Sequence, residues 1–151
     1  MASSTKPHAF NPANVPTPPP TYSQVCVTPL LPTTKIVTLA GQVGIDPSNN
    51  ELATTFIDQV KFAYQNVNNS LKAAGASPRD IAHVKHYIVK DTGDVELDGK
   101  DVVDRGWGKL WVEFMNHEAE GHLPPDTVLG VASLAKKDLL YEVEVLAIVN
   151  G

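Results

Sequence analysis

The sequence lacks several features that mark specialised classes of protein. It has one cysteine, Cys26, so the chain cannot form an internal disulfide, and a lone thiol among apolar neighbours is typical of a small core residue. Twelve basic residues stand against 17 acidic ones, for a net charge of −5, and they form no stripe that would neutralise a phosphate backbone. We therefore expect no nucleic-acid partner.

Long hydrophobic runs are also missing. The N-terminal segment lacks the positive start and apolar core of a secretory signal, and no later run has the length of a membrane span. We therefore expect a cytoplasmic protein with no membrane partner. Five of the twelve prolines fall between Pro12 and Pro20. Residues 1–21 are interpreted as a proline-rich arm, either laid over the surface or disordered, and residues 22–151 as a single domain.

Two short motifs come close to known site patterns without matching them. In "HEAEGH" the histidines His117 and His122 are five residues apart, which takes them off one helical face, and Gly121 disfavours a helix there. The stretch "GQVG" lacks the third glycine and the following helix of a dinucleotide loop. The sequence therefore predicts neither a metal site nor a cofactor.

The patterns that are present predict an α+β domain. β-branched runs at 22–27 and 35–41 predict two antiparallel strands, and apolar residues at steps of three and four predict helices over 54–74 and about 101–115. A strand covers "DIAHVKHYIVKD", and two final strands are joined by the turn "KKD". The order β-β-α-β-α-β-β allows both helices to cover one face of a single mixed sheet.

Four stretches occur together in an order that resembles one family. "AGQVGID", a helix ending "AAGAS", "DIAHVKHYIV" and "PPDTVLGVASLAKKDLLYEVEVLAIV" are similar to successive blocks of the RidA family, the reactive-intermediate imine deaminases. The resemblance covers roughly Tyr22 to Val149. It implies a chorismate-mutase-like subunit that forms a homotrimer, with a cleft for a small-molecule substrate between neighbouring subunits.

The resemblance also supplies candidate site residues, and three of them depart from the family pattern. Asp126 stands where typical members have an arginine that clamps a substrate carboxylate. Val128 stands where many members have a cysteine. Ala40 replaces a serine hydroxyl that helps to bind or position the substrate. A substrate carboxylate would therefore meet repulsion at Asp126, where the family offers attraction.

Three other positions keep the family pattern. Tyr22 matches the tyrosine near the first strand, Glu142 matches the glutamate that orients a water, and Gly41 keeps a backbone amide beside the cleft. If Asp126 and Glu142 face one cleft, their mutual repulsion would leave one carboxyl as an acid and the other as a base. With Tyr22 as a hydrogen-bond donor, such a site suits isomerisation, cyclisation or enamine and enol-ester hydrolysis.

This hypothesis describes a divergent enzyme acting on a neutral or cationic carbonyl metabolite, in a specialised pathway such as secondary metabolism. The alternatives are an imine deaminase of the ordinary type and a non-catalytic ligand-binding trimer. Asp126 also reads as a cap at the start of its strand, Glu142 as part of a solvated strand edge, and Tyr22 as a core aromatic. His83 and His86 fall on opposite faces of their strand and are interpreted as structural.

Overall fold

The computed structural model describes residues 4–151, so the first three residues of the predicted arm lie outside the described part of the chain. The strands are β1 (His8–Phe10), β2 (Val25–Val27), β3 (Lys35–Thr38), β4 (Gln42–Val43), β5 (Ile45–Asp46), β6 (Glu51–Leu52), β7 (Ile81–Val89), β8 (Asp126–Val131) and β9 (Tyr141–Val149). The helices are α1 (Phe56–Ala73), α2 (Val95–Asp98) and α3 (Trp107–Glu118).

A five-stranded mixed sheet forms the centre of the fold. Its order is β3-β9-β7-β8, with β4 also pairing with β9. β7 and β8 are parallel, whereas β9 is antiparallel to β7 and to β3. Helices α1 and α3 cover one face, where Val84, Val143 and Trp111 are fully buried. The predicted α+β class with two long helices on one face of a mixed sheet is confirmed.

The period of the strands separates their two faces. Along β9 the odd-numbered residues from Tyr141 to Ala147 are buried against the helices, while Glu142, Glu144 and Leu146 project from the opposite face. This second face, here called the outer face, also carries Ile36, which is 64% exposed. No helix among residues 4–151 combines the length and the apolar character needed to cross a membrane.

Two predicted strand pairings are wrong. The "KKD" turn does not join a hairpin, because β9 inserts between β3 and β7 while β8 lies parallel to β7 at the edge. The first predicted strand does not pair with β3 either. It is reduced to β2, which pairs with β1 in a separate two-stranded sheet, so part of the arm is itself a strand. Lys6 anchors this segment through a 2.6 Å ion pair with buried Asp80.

The second long helix begins later than its apolar stripe predicts. Gly106 has φ of 87°, in the left-handed region, so α3 starts at Trp107 and only a short 3-10 turn covers 102–104. Val103, one of the apolar residues within the predicted helix, is 55% exposed as a result. The break turns the indole of Trp107 into the core and leaves an open space between the start of α3 and the arm.

Candidate functional site

A mostly apolar recess lies between the arm, the start of α3 and β8. This recess, here called the Tyr22 cavity, has a volume of about 460 Å³. Residues 19–22 form one wall, residues 106–109 form the other, and Val128 on β8 also lines it. Asp104 and Lys109 are its charged lining residues. Mostly apolar walls with a few polar groups are typical of small-molecule pockets.

The structure brings two of the sequence-predicted residues together in this cavity. Tyr22 and Val128 both line it, although they are 106 positions apart in the chain. Proline-rich residues 19–20 hold the chain extended before Tyr22, and Thr21 packs so closely on α3 that a Cβ at Gly108 would meet its methyl group at 3.0 Å. Gly108 therefore permits the close approach of the arm.

Asp126 lies on the helix-covered face of β8, two residues before Val128 and on the same face. Its side chain is only 3% exposed. Oδ2 is fully enclosed and has no hydrogen-bond partner among residues 4–151. Burial raises the pKa of Asp126 to about 6, since the enclosed carboxylate is poorly solvated. The strand-cap interpretation requires backbone donors to Asp126, and Oδ2 has none among residues 4–151.

Asp126 faces a buried histidine. His86 Nε2 lies 3.8 Å from Asp126 Oδ2, and neither atom has a hydrogen-bond partner in the described part of the chain. The His86 ring packs on Trp107 with centroids 4.4 Å apart, so this pair lies behind the Trp107 wall of the Tyr22 cavity. Burial lowers the pKa of His86 to about 3. His86 is therefore a neutral imidazole at ordinary pH.

A line of hydrogen bonds leads from His86 to helix α1. His86 Nδ1 lies 2.6 Å from the Tyr141 hydroxyl, which donates to the Tyr64 hydroxyl at 3.1 Å. Tyr64 in turn donates to the main-chain carbonyl of Trp107 at 3.2 Å. Strand β7, strand β9 and both long helices are thus joined through buried polar groups.

The remaining predicted residues lie elsewhere. Glu142 projects from the outer face of the sheet beside Gly41, where any larger residue would place its Cβ against Glu142 Oε1. Ala40 is exposed next to it. Burial, and then the charge of Glu144, raise the pKa of Glu142. Because Asp126 points to the opposite face, one chain alone does not bring the two carboxyls together. A site shared between subunits stays a prediction.

Among residues 4–151, no buried cationic side chain lines the Tyr22 cavity, so none is placed to bind a substrate carboxylate there. Arg105 is buried and donates to the carbonyls of Val89, Lys90 and Lys100, which makes it a structural residue. Lys109 is at the rim, with its side chain 83% exposed. Within the same described range, no cluster of three or more His, Cys, Asp or Glu side chains is arranged to hold a metal.

The sequence interpretation missed His86 and Trp107 as parts of the site. The alternation of β7 predicts that His86 faces the helices, but a single sequence does not indicate that Asp126 is opposite it. That pairing depends on β8 lying parallel to β7, which places Asp126 beside Val84 and Val128 beside His86.

Comparisons with known proteins agree with this fold. A family model described as Endoribonuclease L-PSP matches residues 13–149. The chain belongs to that family, which includes the RidA proteins. A RutC family protein of Pyrococcus horikoshii, PH0854, is 30% identical over 110 residues, which cover 72% of this chain and 75% of that protein.

Solved structures of RidA-like proteins share the fold at low identity. The Rid-family protein YyfB of Yersinia pestis matches with a TM-score of 0.74 and 22% identity, over 95% of this chain and 99% of that one. TdcF of E. coli, solved with bound serine, matches with a TM-score of 0.62 and 21% identity, over 86% and 95% of the two chains. The region that the family model matches includes the cavity, the Asp126–His86 pair and the outer face.

Proposed function

We propose that this RidA-like chain is an enzyme that performs acid–base chemistry on a small, uncharged carbonyl or enamine metabolite bound in the Tyr22 cavity. Asp126 is the acid, and Tyr22 donates a hydrogen bond to the substrate oxygen. The observation that carries the proposal is the state of Asp126. Asp126 has a pKa of about 6 and precedes by two residues, on the same strand face, Val128, which lines the cavity. A carboxyl of this pKa exchanges protons readily near neutral pH.

The lack of a buried cation among the described residues that line the cavity supports an uncharged substrate. The TdcF structure holds serine, whose carboxylate needs a positive partner. Here the position of the family arginine is occupied by Asp126, and Lys109 at the rim lies 3.9 Å from Glu113. A carboxylate entering the Tyr22 cavity would lose its hydration without gaining an ion pair.

We further propose a homotrimer in which the outer face is covered by neighbouring subunits. Only such an assembly would bring Glu142 near the Tyr22 cavity of another subunit, where it would hold the water for a hydrolytic reaction. The reaction class then includes isomerisation, cyclisation and enamine or enol-ester hydrolysis. A substrate without a carboxylate fits a specialised pathway, such as secondary metabolism, better than general amino-acid turnover.

The test compares two small substrates that differ in charge. Hydrolysis of isopropenyl acetate, a neutral enol ester, and of freshly generated 2-aminoacrylate is measured with the wild type, Asp126→Asn and Asp126→Arg. We expect the wild type to favour the neutral ester and Asp126→Asn to lose at least about tenfold of that activity. The matched control is Thr127→Ala, because Thr127 is exposed and points away from Asp126.

Two results would overturn the proposal. If neither substrate is turned over by the wild type but the ester binds and is recovered unchanged, the protein is a ligand-binding module. If the wild type deaminates 2-aminoacrylate and Asp126→Arg changes nothing, the chain is an ordinary imine deaminase and Asp126 has no role in the chemistry.

A further inference from the structure

The direction of the buried hydrogen bonds fixes the protonation of His86. The Trp107 carbonyl can only accept, so the single hydroxyl proton of Tyr64 points to it. Tyr64 must then accept the proton of Tyr141, and the Tyr141 oxygen must accept from His86. His86 therefore carries its hydrogen on Nδ1. In the neutral ring, Nε2 is left with a lone pair.

That lone pair points at the carboxyl of Asp126. Nε2 and Oδ2 face each other across 3.8 Å, slightly beyond hydrogen-bond reach, in a fully buried space. A carboxylate and a lone pair would repel each other there, and both atoms would remain unsatisfied at a substantial cost. A proton on Oδ2 removes this repulsion, and a small closure of the 3.8 Å gap lets that proton satisfy both atoms.

We propose that His86 is a positioning residue that shares a single proton with Asp126 and thereby keeps the Asp126 carboxyl in its neutral, acid form. The proton lies on Oδ2, which is held inward against His86, so its delivery to a substrate requires the carboxyl to turn about its Cβ–Cγ bond. The inference rests on the proposed function for its consequence, because Asp126 is the acid of that reaction. The shared proton itself is a property of the folded chain and can be observed without a substrate.

The groups packed around the pair explain where the proton resides. Helix α1 contributes Tyr64, β9 contributes Tyr141, and α3 contributes Trp107 and Trp111, whose rings carry no charge. The charged residues that line the Tyr22 cavity are Asp104 and Lys109, and the Lys109 side chain is 83% exposed. With no fixed cation from these elements to stabilise a carboxylate, burial favours the neutral pair, in which the carboxyl holds the proton. The opposite pKa shifts of Asp126 and His86 agree with this order.

The first experiment observes the tautomer of His86 in the full-length wild type labelled with ¹⁵N-histidine. Two-bond ¹H–¹⁵N spectra between pH 5 and 8 should show one ring with a protonated Nδ1 and a bare Nε2, and Asp126→Asn should shift that ring alone. Asparagine can donate its amide hydrogen to Nε2, so the variant should keep the same tautomer. An Nε2–H tautomer or an imidazolium in this range would overturn the proposal.

The second experiment follows the Asp126 carboxyl carbon by ¹³C NMR in the wild type and His86→Gln. A glutamine amide can donate to a carboxylate, which the lone pair of His86 cannot, so the titration midpoint of Asp126 should fall by about one pH unit or more. An unchanged midpoint in a variant with wild-type backbone spectra would show that His86 only fills space. Neither experiment measures turnover, so loss of the enzymatic proposal would leave these results standing.

Discussion

A buried carboxyl and a surface carboxyl can share a sequence signature and differ in chemistry. Asp126 begins β8 and Glu142 lies near the start of β9, and the sequence predicted both as site residues. Burial gives Asp126 a pKa of about 6, whereas the outer face leaves Glu142 partly solvated beside Gly41. The sequence identified both carboxyls as candidate site residues. The burial of each carboxyl could not be predicted, because it depends on which face of the sheet the helices cover.

The pH dependence of stability tests the environment of Asp126. Its pKa rises from 3.8 to about 6 on folding, so the stabilising neutral form is complete below about pH 4 and is lost as the pH rises through 6. Relative to Asp126→Asn, the wild type should lose up to about 3 kcal/mol of unfolding free energy between pH 4 and 7. Urea unfolding at several pH values measures this difference.

The contribution of His86 to the unfolding free energy changes with pH in the opposite direction. It cancels when the wild type is compared with Asp126→Asn, because both proteins contain His86. Its pKa falls to about 3 on folding, so its stabilising neutral form is complete above pH 6.5 and is lost as the pH falls toward 3, in both proteins. A difference between the wild type and Asp126→Asn that stays constant from pH 4 to 8 would contradict the buried state of Asp126.

Among the elements, those with strong local patterns were predicted best. The stripe of α1 includes Val60, Val67 and Leu71, all fully buried, and the helix ends within two residues of its predicted bounds. The start of α3 was predicted too early, because an apolar stripe does not register the backbone conformation of Gly106. The partner of β8 was also missed. A short turn such as "KKD" favours a hairpin, and only distant pairing with β7 overrides it.

The conformation at the start of α3 gives a prediction at this scale. Gly106→Ala should destabilise the fold by about 1 kcal/mol, because alanine is disfavoured at positive φ, while the space around it is ordinary: a Cβ would lie 3.4 Å from Ile57. Gly106→Asn should cost less, since asparagine tolerates this region. Thermal or urea unfolding ranks the three proteins. Equal losses for alanine and asparagine would mean that side-chain crowding sets the cost.

At the scale of the whole molecule, the two faces of the main sheet differ in what covers them. One face is covered by α1 and α3, and the outer face is left with a row of partly apolar residues. Ile36 lies opposite Ile148, Leu146 lies opposite Thr38, and Leu129 on β8 is 37% exposed. The outer face also carries the Lys85–Glu144 ion pair, so it is a mixed surface. Its exposed apolar residues are the basis for the proposed association with other chains.

The size of the particle in solution tests the proposed trimer. The wild type should have a mass of about 49 kDa by light scattering, three times the 16.3 kDa of one chain. Ile36→Lys should shift the protein toward the monomer, since a charge would be buried at the interface. Val95→Lys is the control, because Val95 is 88% exposed on α2. A stable wild-type monomer would remove the basis for a cleft shared with Glu142.

The central position of β9 affects how the protein folds during its synthesis on the ribosome. β9 is made after every other strand of the main sheet, yet it lies between β3 and β7 and pairs with both. Until it emerges, β3 has no neighbour in that sheet and the nascent β7–β8 pair exposes a bare edge. The main sheet is therefore completed late in synthesis, and a chain that stalls before residue 141 presents chaperones with an unfinished surface.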